Sequence, residues 1–170
     1  SYNSEIKPQQ RFTVNNVIKS DLGENIYLIV DLTNTDRFYQ MSKEEYKRRY
    51  VKIACEGHNG ALSKDQVKHF IEVVSEFQKD CHSMAHVGVH CTHGFNRTGF
   101  MIVSYLIESC QMDLVTALKE FSQSRPPGIY KQEYLNELRE RYNFPDKIEV
   151  PRRPMWLTDD NIERLSDDDE

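Results

Sequence analysis

Several features that would point to other chemistries are missing from this chain. The four cysteines (Cys55, Cys81, Cys91 and Cys110) form no CxxC pair and keep no regular spacing. That argues against a disulfide framework or a zinc site and for a reducing compartment. No stretch comes near the roughly 20 apolar residues of a membrane span, so no membrane partner is expected. No secretory leader opens the chain. No His, Asp and Glu cluster has evident ligand spacing, and no residue pattern calls for a cofactor. The chain opens at Ser1 rather than Met, which suggests a trimmed piece.

What remains is 170 residues, 38% hydrophobic and 29% charged, enough for one domain with a real core. A monomer is the default expectation. The net charge of −5 is unevenly spread. From Leu157 to Glu170 seven acidic residues face Arg164 alone, so the rest of the chain is close to neutral. Such an acidic run reads as a solvated tail. Prolines and then acid follow Pro145, so the expected organisation is a domain over 1–145 and a linker or tail over 146–170.

Ile26 to Val30 is a continuous, β-branched apolar run and reads as a buried strand. Val51 to Ala54 reads as a second strand, and Val87 to His90 as a third. A frayed helix is expected around Val14 to Ile18. Ser63 followed by Gln66 is a capping-box pattern. Behind it Val67, Phe70, Ile71, Val74 and Phe77 keep the spacing of one helix face. Further helices are expected over Phe100–Ile107, around Leu114, Ala117, Leu118 and Phe121, and around Leu135, Leu138 and Tyr142. Pro126-Pro127-Gly128 ends the second of these. Strands alternating with helices predict an α/β fold, with a central, mostly parallel twisted sheet flanked by helices.

The most informative run is His90-Cys91-Thr92-His93-Gly94-Phe95-Asn96-Arg97-Thr98-Gly99. It leaves a strand and enters a helix, at the carboxyl edge where such sheets bind ligands. Five residues between Cys91 and Arg97 let one tight loop hold a sulfur inside a ring of backbone N–H groups, a ready anion site. The same field favours a thiolate, the useful nucleophile. Arg97 can grip two phosphoryl oxygens with its planar fork. Thr98 is expected to bring a hydroxyl to the sulfur. Gly94 and Gly99 are expected to allow the turn and the close approach of an anion. The backbone of Thr92, His93, Gly94, Phe95, Asn96 and Arg97 makes the phosphate cradle. His90 and His93 either brace the loop or are ordinary structural histidines. A CxxxxxR spacing alone is common by chance, whereas strand–HCxxxxxRTG–helix is not.

This loop resembles the signature of the cysteine-dependent phosphatases, and in detail that of the RNA triphosphatase domain of metazoan mRNA capping enzymes. Two further segments support the resemblance: Asp31-Leu32-Thr33-Asn34-Thr35-Asp36-Arg37-Phe38-Tyr39, and Arg125-Pro126-Pro127-Gly128-Ile129-Tyr130-Lys131-Gln132-Glu133-Tyr134-Leu135. It runs from about residue 11 to 145. It implies a cysteine-phosphatase fold and metal-independent removal of the γ-phosphate from 5′-triphosphate RNA through a phosphocysteine, in the nucleus. It also implies, for a full-length enzyme, a guanylyltransferase domain and the C-terminal domain of RNA polymerase II as partners. The family carries a further amino-terminal segment and a downstream Lys-x-Asp-Gly motif, neither of which occurs in these residues.

Related protein phosphatases take a general acid from a separate loop. In chain order that loop is Glu56 to Leu62, which holds Glu56 and His58 but no Trp-Pro-Asp-like triplet. A diphosphate leaves without needing a proton, so no residue is expected to play the part, with Asp31 in reserve. The expectation for Asp31 is a carboxylate that braces the loop. Cys55 should end its strand beside the Cys91 loop, where a protective disulfide is conceivable. Arg37, Arg125 and Lys131 are candidates for the remaining phosphates, or else solvated charges. Gln132 falls where related enzymes place a water-orienting Gln. Lys47-Arg48-Arg49 reads as a solvated face, or else as a guide for RNA. Three functional readings compete: an RNA 5′-triphosphatase, a broader RNA 5′-phosphatase or dual-specificity protein phosphatase, and a catalytically dead phosphate-binding module.

Overall fold

A computed structural model describes residues 16, 17, 20, 25–36, 49–56, 62–81 and 84–155. Arg37, the Lys47-Arg48 pair, His58 and the acidic tail lie outside the described residues. Of the helix expected over Val14–Ile18, only Asn16 and Val17 are described.

Three parallel strands form a sheet of order β2-β1-β3, from β1 (Ile26–Asp31), β2 (Arg49–Lys52) and β3 (His86–His90). β1 is central, and its last four residues are buried, as a strand covered on both faces requires. β2 lies two residues earlier than its apolar run suggested. Pairing decides this: Leu28 to Asp31 align with Arg49 to Lys52, and the ladder closes with Ile53 N donating to Asp31 O at 2.9 Å. Local apolarity gives no register.

Four helices are described: α1 (Lys64–Asp80), α2 (Asn96–Glu108), α3 (Leu114–Ser124) and α4 (Gln132–Arg141). α1 starts at the expected capping box, Ser63 Oγ accepting from Gln66 N at 3.1 Å and Gln66 Oε1 from Ser63 N at 2.9 Å. Its Val67, Phe70, Val74 and Phe77 are buried. α2 packs against α1, α3 and α4, and its Phe100, Met101 and Val103 reach the core together with Leu28, Val30 and Leu32 of β1. Past α4, Ile148 still packs against this core. No helix among the described residues is long and apolar enough to cross a membrane.

Candidate active site

The three strand ends deliver the site. β3 stops at His90, the loop Cys91–Phe95 turns, and α2 begins at Asn96. Gly94 has φ +71°, a left-handed turn conformation that suits a residue without Cβ. Its N–H donates to Cys91 Sγ at 3.3 Å. Cys91 is buried, 9% exposed. The start of α2 differs from that of α1 and α3. Ser63 caps α1 and Asp113 caps α3, whereas Phe95 stands at the N-cap of α2 with no side-chain cap and no acid in the first turn. No side chain caps this end of the helix, where the dipole favours an anion.

Arg97 is 5% exposed, and its fork is held from three directions. Nη1 donates to Cys55 O at 2.8 Å and to Leu32 O at 3.4 Å, and Nη2 donates to Thr92 Oγ1 at 2.8 Å. A buried guanidinium needs such acceptors, and these fix its plane beside the loop.

Parallel register sets up the support beneath. Asp31 pairs with Lys52 on one side and with His90 on the other, so three charged or titratable residues stand abreast. Asp31 Oδ1 accepts from Thr33 N at 2.9 Å and from Thr33 Oγ1 at 2.7 Å. Its Oδ2 accepts from Tyr50 Oη at 2.7 Å and from Lys52 Nζ at 3.3 Å, and His90 Nε2 lies 3.7 Å from Oδ1. Burial pushes this carboxyl up. The bonds from Thr33 and Tyr50, with the nearby His90, outweigh burial and hold it below the ordinary carboxylate value. Asp31 is 1% exposed and braces the strand ends. Lys52 Nζ also reaches Thr33 Oγ1 at 3.2 Å, Thr35 O at 2.6 Å and Asp36 at 3.1 Å, fastening the turn after β1.

Residues 14–144 match the family described as the dual specificity phosphatase, catalytic domain. The chain belongs to this family. It is 40% identical over 167 residues to an mRNA-capping enzyme of Danio rerio, which covers 95% of this chain and 28% of that protein. It is 36% identical over 120 residues to an RNA/RNP complex-1-interacting phosphatase homolog of Caenorhabditis elegans, covering 69% of this chain and 52% of that one. The chain thus spans little more than a quarter of the capping enzyme it matches. A solved structure, Tk-PTP in the active form, superposes with TM-score 0.63 at 21% identity, covering 80% of this chain and 90% of that one; it supports the fold.

In this dual-specificity phosphatase domain the remaining expected residues divide. Asn96 Oδ1 accepts from Tyr130 N at 3.0 Å and Lys131 N at 3.1 Å, tying the Arg125–Lys131 segment to the loop. Arg125 donates from Nη2 to His93 O at 3.1 Å and lies 4.2 Å from the centre of the Phe95 ring, so it reaches the rim of the cradle. Lys131 Nζ sits 3.7 Å from Glu133, and Gln132 Nε2 donates to Asn136 Oδ1 at 2.9 Å along its own helix. The Thr98 hydroxyl is buried with no hydrogen-bond partner among the described residues, and a contact to the sulfur comes from Gly94 N. Gly99 corrects an expectation. It lies within α2, and a Cβ there would stand 2.5 Å from Phe121 and 2.7 Å from Ile129, so its small size serves helix packing and not anion approach.

Cys55 is buried beside the loop, with its Sγ donating to Ile53 O at 3.1 Å. All four cysteines are free. Burial pushes the Cys55 thiol up to about 12, against the opposing pull of Arg97. Sequence reasoning missed Tyr50 and Lys52. Their only signal was a strand position opposite Asp31, which depends on a register no local pattern shows.

Proposed function

We propose that this domain removes the γ-phosphate from 5′-triphosphate RNA. The carrying observation is the Cys91–Arg97 loop. It combines a shielded sulfur, an uncapped helix start and a braced guanidinium in a chain 40% identical to a capping enzyme over nearly its whole length. Cys91 Sγ attacks the γ-phosphorus, an S–P bond forms, and the bridging oxygen leaves with the diphosphate-ended RNA. Water then attacks phosphorus, inorganic phosphate departs, and the thiolate returns. Cradle N–H groups and Arg97 carry the equatorial oxygens through both steps. The N–H groups of Thr92, His93, Gly94, Phe95, Asn96 and Arg97 form that cradle, with Thr98 at its helical end. These fixed donors supply the positive field, and the reaction runs without metal.

No general acid takes part. Glu56 is exposed on the loop that follows β2, Asp31 is engaged by Thr33, Tyr50 and Lys52, and a diphosphate leaves unprotonated. The setting is the nucleus, beside the guanylyltransferase domain of a full-length capping enzyme at the C-terminal domain of RNA polymerase II. The likeness to an RNA/RNP complex-1-interacting phosphatase homolog favours one second reading, a broader RNA 5′-phosphatase, which would strip the β-phosphate as well. Intact Cys91 and Arg97 speak against a dead binding module. RNA labelled separately at the γ- and β-phosphates, incubated with EDTA, decides. γ-only release is expected, release of both labels supports the second reading, and no release overturns both. Activity retained by Cys91→Ser would sink the covalent route.

A further inference from the structure

Arg125 comes from the end of α3, yet one rigid unit connects it to the nucleophile. Its Nη2 donates to His93 O at 3.1 Å, and Gly94 N donates to Cys91 Sγ at 3.3 Å. That carbonyl and that N–H belong to the same peptide group, which is trans. A trans peptide is planar, with its C=O and N–H pointing in opposite directions. Holding the oxygen on one side therefore aims the hydrogen at the sulfur on the other. A cation on the oxygen also polarises the group and strengthens its N–H as a donor.

Arg125 is exposed, but several contacts fix it. Its N donates to Phe121 O and its O accepts from Gly128 N, both at 2.8 Å. Its guanidinium lies over the Phe95 ring, 4.2 Å from the centre, which leaves the fork little rotamer freedom to lose. The same connector is tied to the loop a second time. Asn96 Oδ1 accepts from Tyr130 N and Lys131 N, and the Tyr130 ring packs 5.6 Å from that of Phe95. The loop is thus gripped on both sides of Gly94. Arg97 does a different job, since its donors go to Leu32 O, Cys55 O and Thr92 Oγ1, none of them in the peptide group that faces the sulfur.

We propose that Arg125 is a positioning residue for Cys91, acting through the His93–Gly94 peptide group to aim and strengthen the N–H that stabilises the thiolate. This rests on the cysteine mechanism given above, and not on RNA as the substrate, because the same peptide group faces the sulfur whatever the leaving group. It requires no contact between Arg125 and any phosphate.

The test compares the full chain with Arg125→Met, which keeps a long side chain and removes its donors, and with Arg125→Lys. The first readout is alkylation of Cys91 by iodoacetamide at pH 7, followed by peptide mass spectrometry because Cys55, Cys81 and Cys110 are free as well. The reagent is uncharged and carries no phosphate, so it reports on the sulfur alone. Arg125→Met should slow alkylation by about 2- to 5-fold, the scale of one hydrogen bond. In turnover, kcat should fall about 10-fold with KM within about twofold, on both γ-labelled 5′-triphosphate RNA and p-nitrophenyl phosphate. Arg125→Lys should restore part of each loss, since an ammonium still donates to His93 O. Faster alkylation in Arg125→Met would mean a loosened loop and would overturn the proposal, as would unchanged rates. A loss confined to KM for RNA, with p-nitrophenyl phosphate untouched, would overturn it in favour of direct contact with a second phosphate. If the wild-type chain cleaves p-nitrophenyl phosphate and leaves RNA intact, the RNA reading falls, and alkylation with p-nitrophenyl phosphate turnover still decides the role of Arg125.

Discussion

Cys55 and Cys91 both follow a parallel strand and both are buried, yet their surroundings differ sharply. Cys91 sits in a turn with Gly94 N–H aimed at its sulfur, before a helix whose N-terminus no side chain caps. Cys55 points its thiol at Ile53 O, an acceptor that favours keeping the proton, and burial holds it as a thiol up to about 12. Its contribution to the site is its carbonyl, which takes 2.8 Å bonding from Arg97. The two sulfurs thus differ in what faces them, an N–H donor at Cys91 and a carbonyl acceptor at Cys55.

The largest effect that could break this contrast is at Cys91. Cys91→Ser should lower phosphate release by about 10⁴-fold or more while the protein stays folded. Comparable turnover in that variant would mean the two cysteines do not differ as described. Next comes Arg97→Lys. A lysine keeps the charge but cannot donate at once to Cys55 O, Leu32 O, Thr92 and a phosphoryl group, and a loss of about 10²- to 10³-fold in kcat is expected. An effect below threefold would show that the fork geometry is dispensable.

Asp31→Asn sharpens the account of the strand ends and should cost about 2–4 kcal/mol at neutral pH by leaving Lys52 and His90 beside an uncharged partner. The Asp31 carboxyl is held below its ordinary value, so its stabilisation is present above that value and fades as pH falls through the folded-state one. Urea midpoints measured from pH 7 to pH 2 should therefore show the wild type and Asp31→Asn converging at the acid end. A constant gap would remove the ionised carboxylate from the explanation.

Gly99→Ala should destabilise by about 1–3 kcal/mol, since the new methyl meets Phe121 and Ile129 inside contact distance and tilts the start of α2. An unchanged melting temperature would contradict the packing role. The smallest effect belongs to Cys55→Ala. Turnover should stay within about twofold, because the carbonyl that braces Arg97 survives, and stability should fall by about 1 kcal/mol. A large loss of turnover would give the Cys55 thiol a part that its hydrogen bond to Ile53 does not.

Much of this was readable along the chain, and for identifiable reasons. The helices declare themselves through 3.6-residue periodicity and through Ser63 and Gln66, all interactions between neighbours in sequence. The Cys91–Arg97 loop does so too, because seven consecutive residues supply both the sulfur and the guanidinium. The partners of Asp31 do not declare themselves in this way. Tyr50 and Lys52 reach it across a strand pair. Gly99 was misassigned because its neighbours, Phe121 and Ile129, come from another helix and the turn beyond it.

Determined by sequence alone were the spacing of Cys91 and Arg97, the strand–loop–helix context that opens an anion site, and the α/β layering. Each follows from covalent geometry and short-range propensity. Tertiary structure alone decided which groups hold those parts still. The register that sets Lys52, Asp31 and His90 abreast and the carbonyls of Leu32 and Cys55 that orient Arg97 join residues far apart in the chain. Their positions are set by packing and by the need to pair every buried charge, constraints that act in space rather than along the sequence.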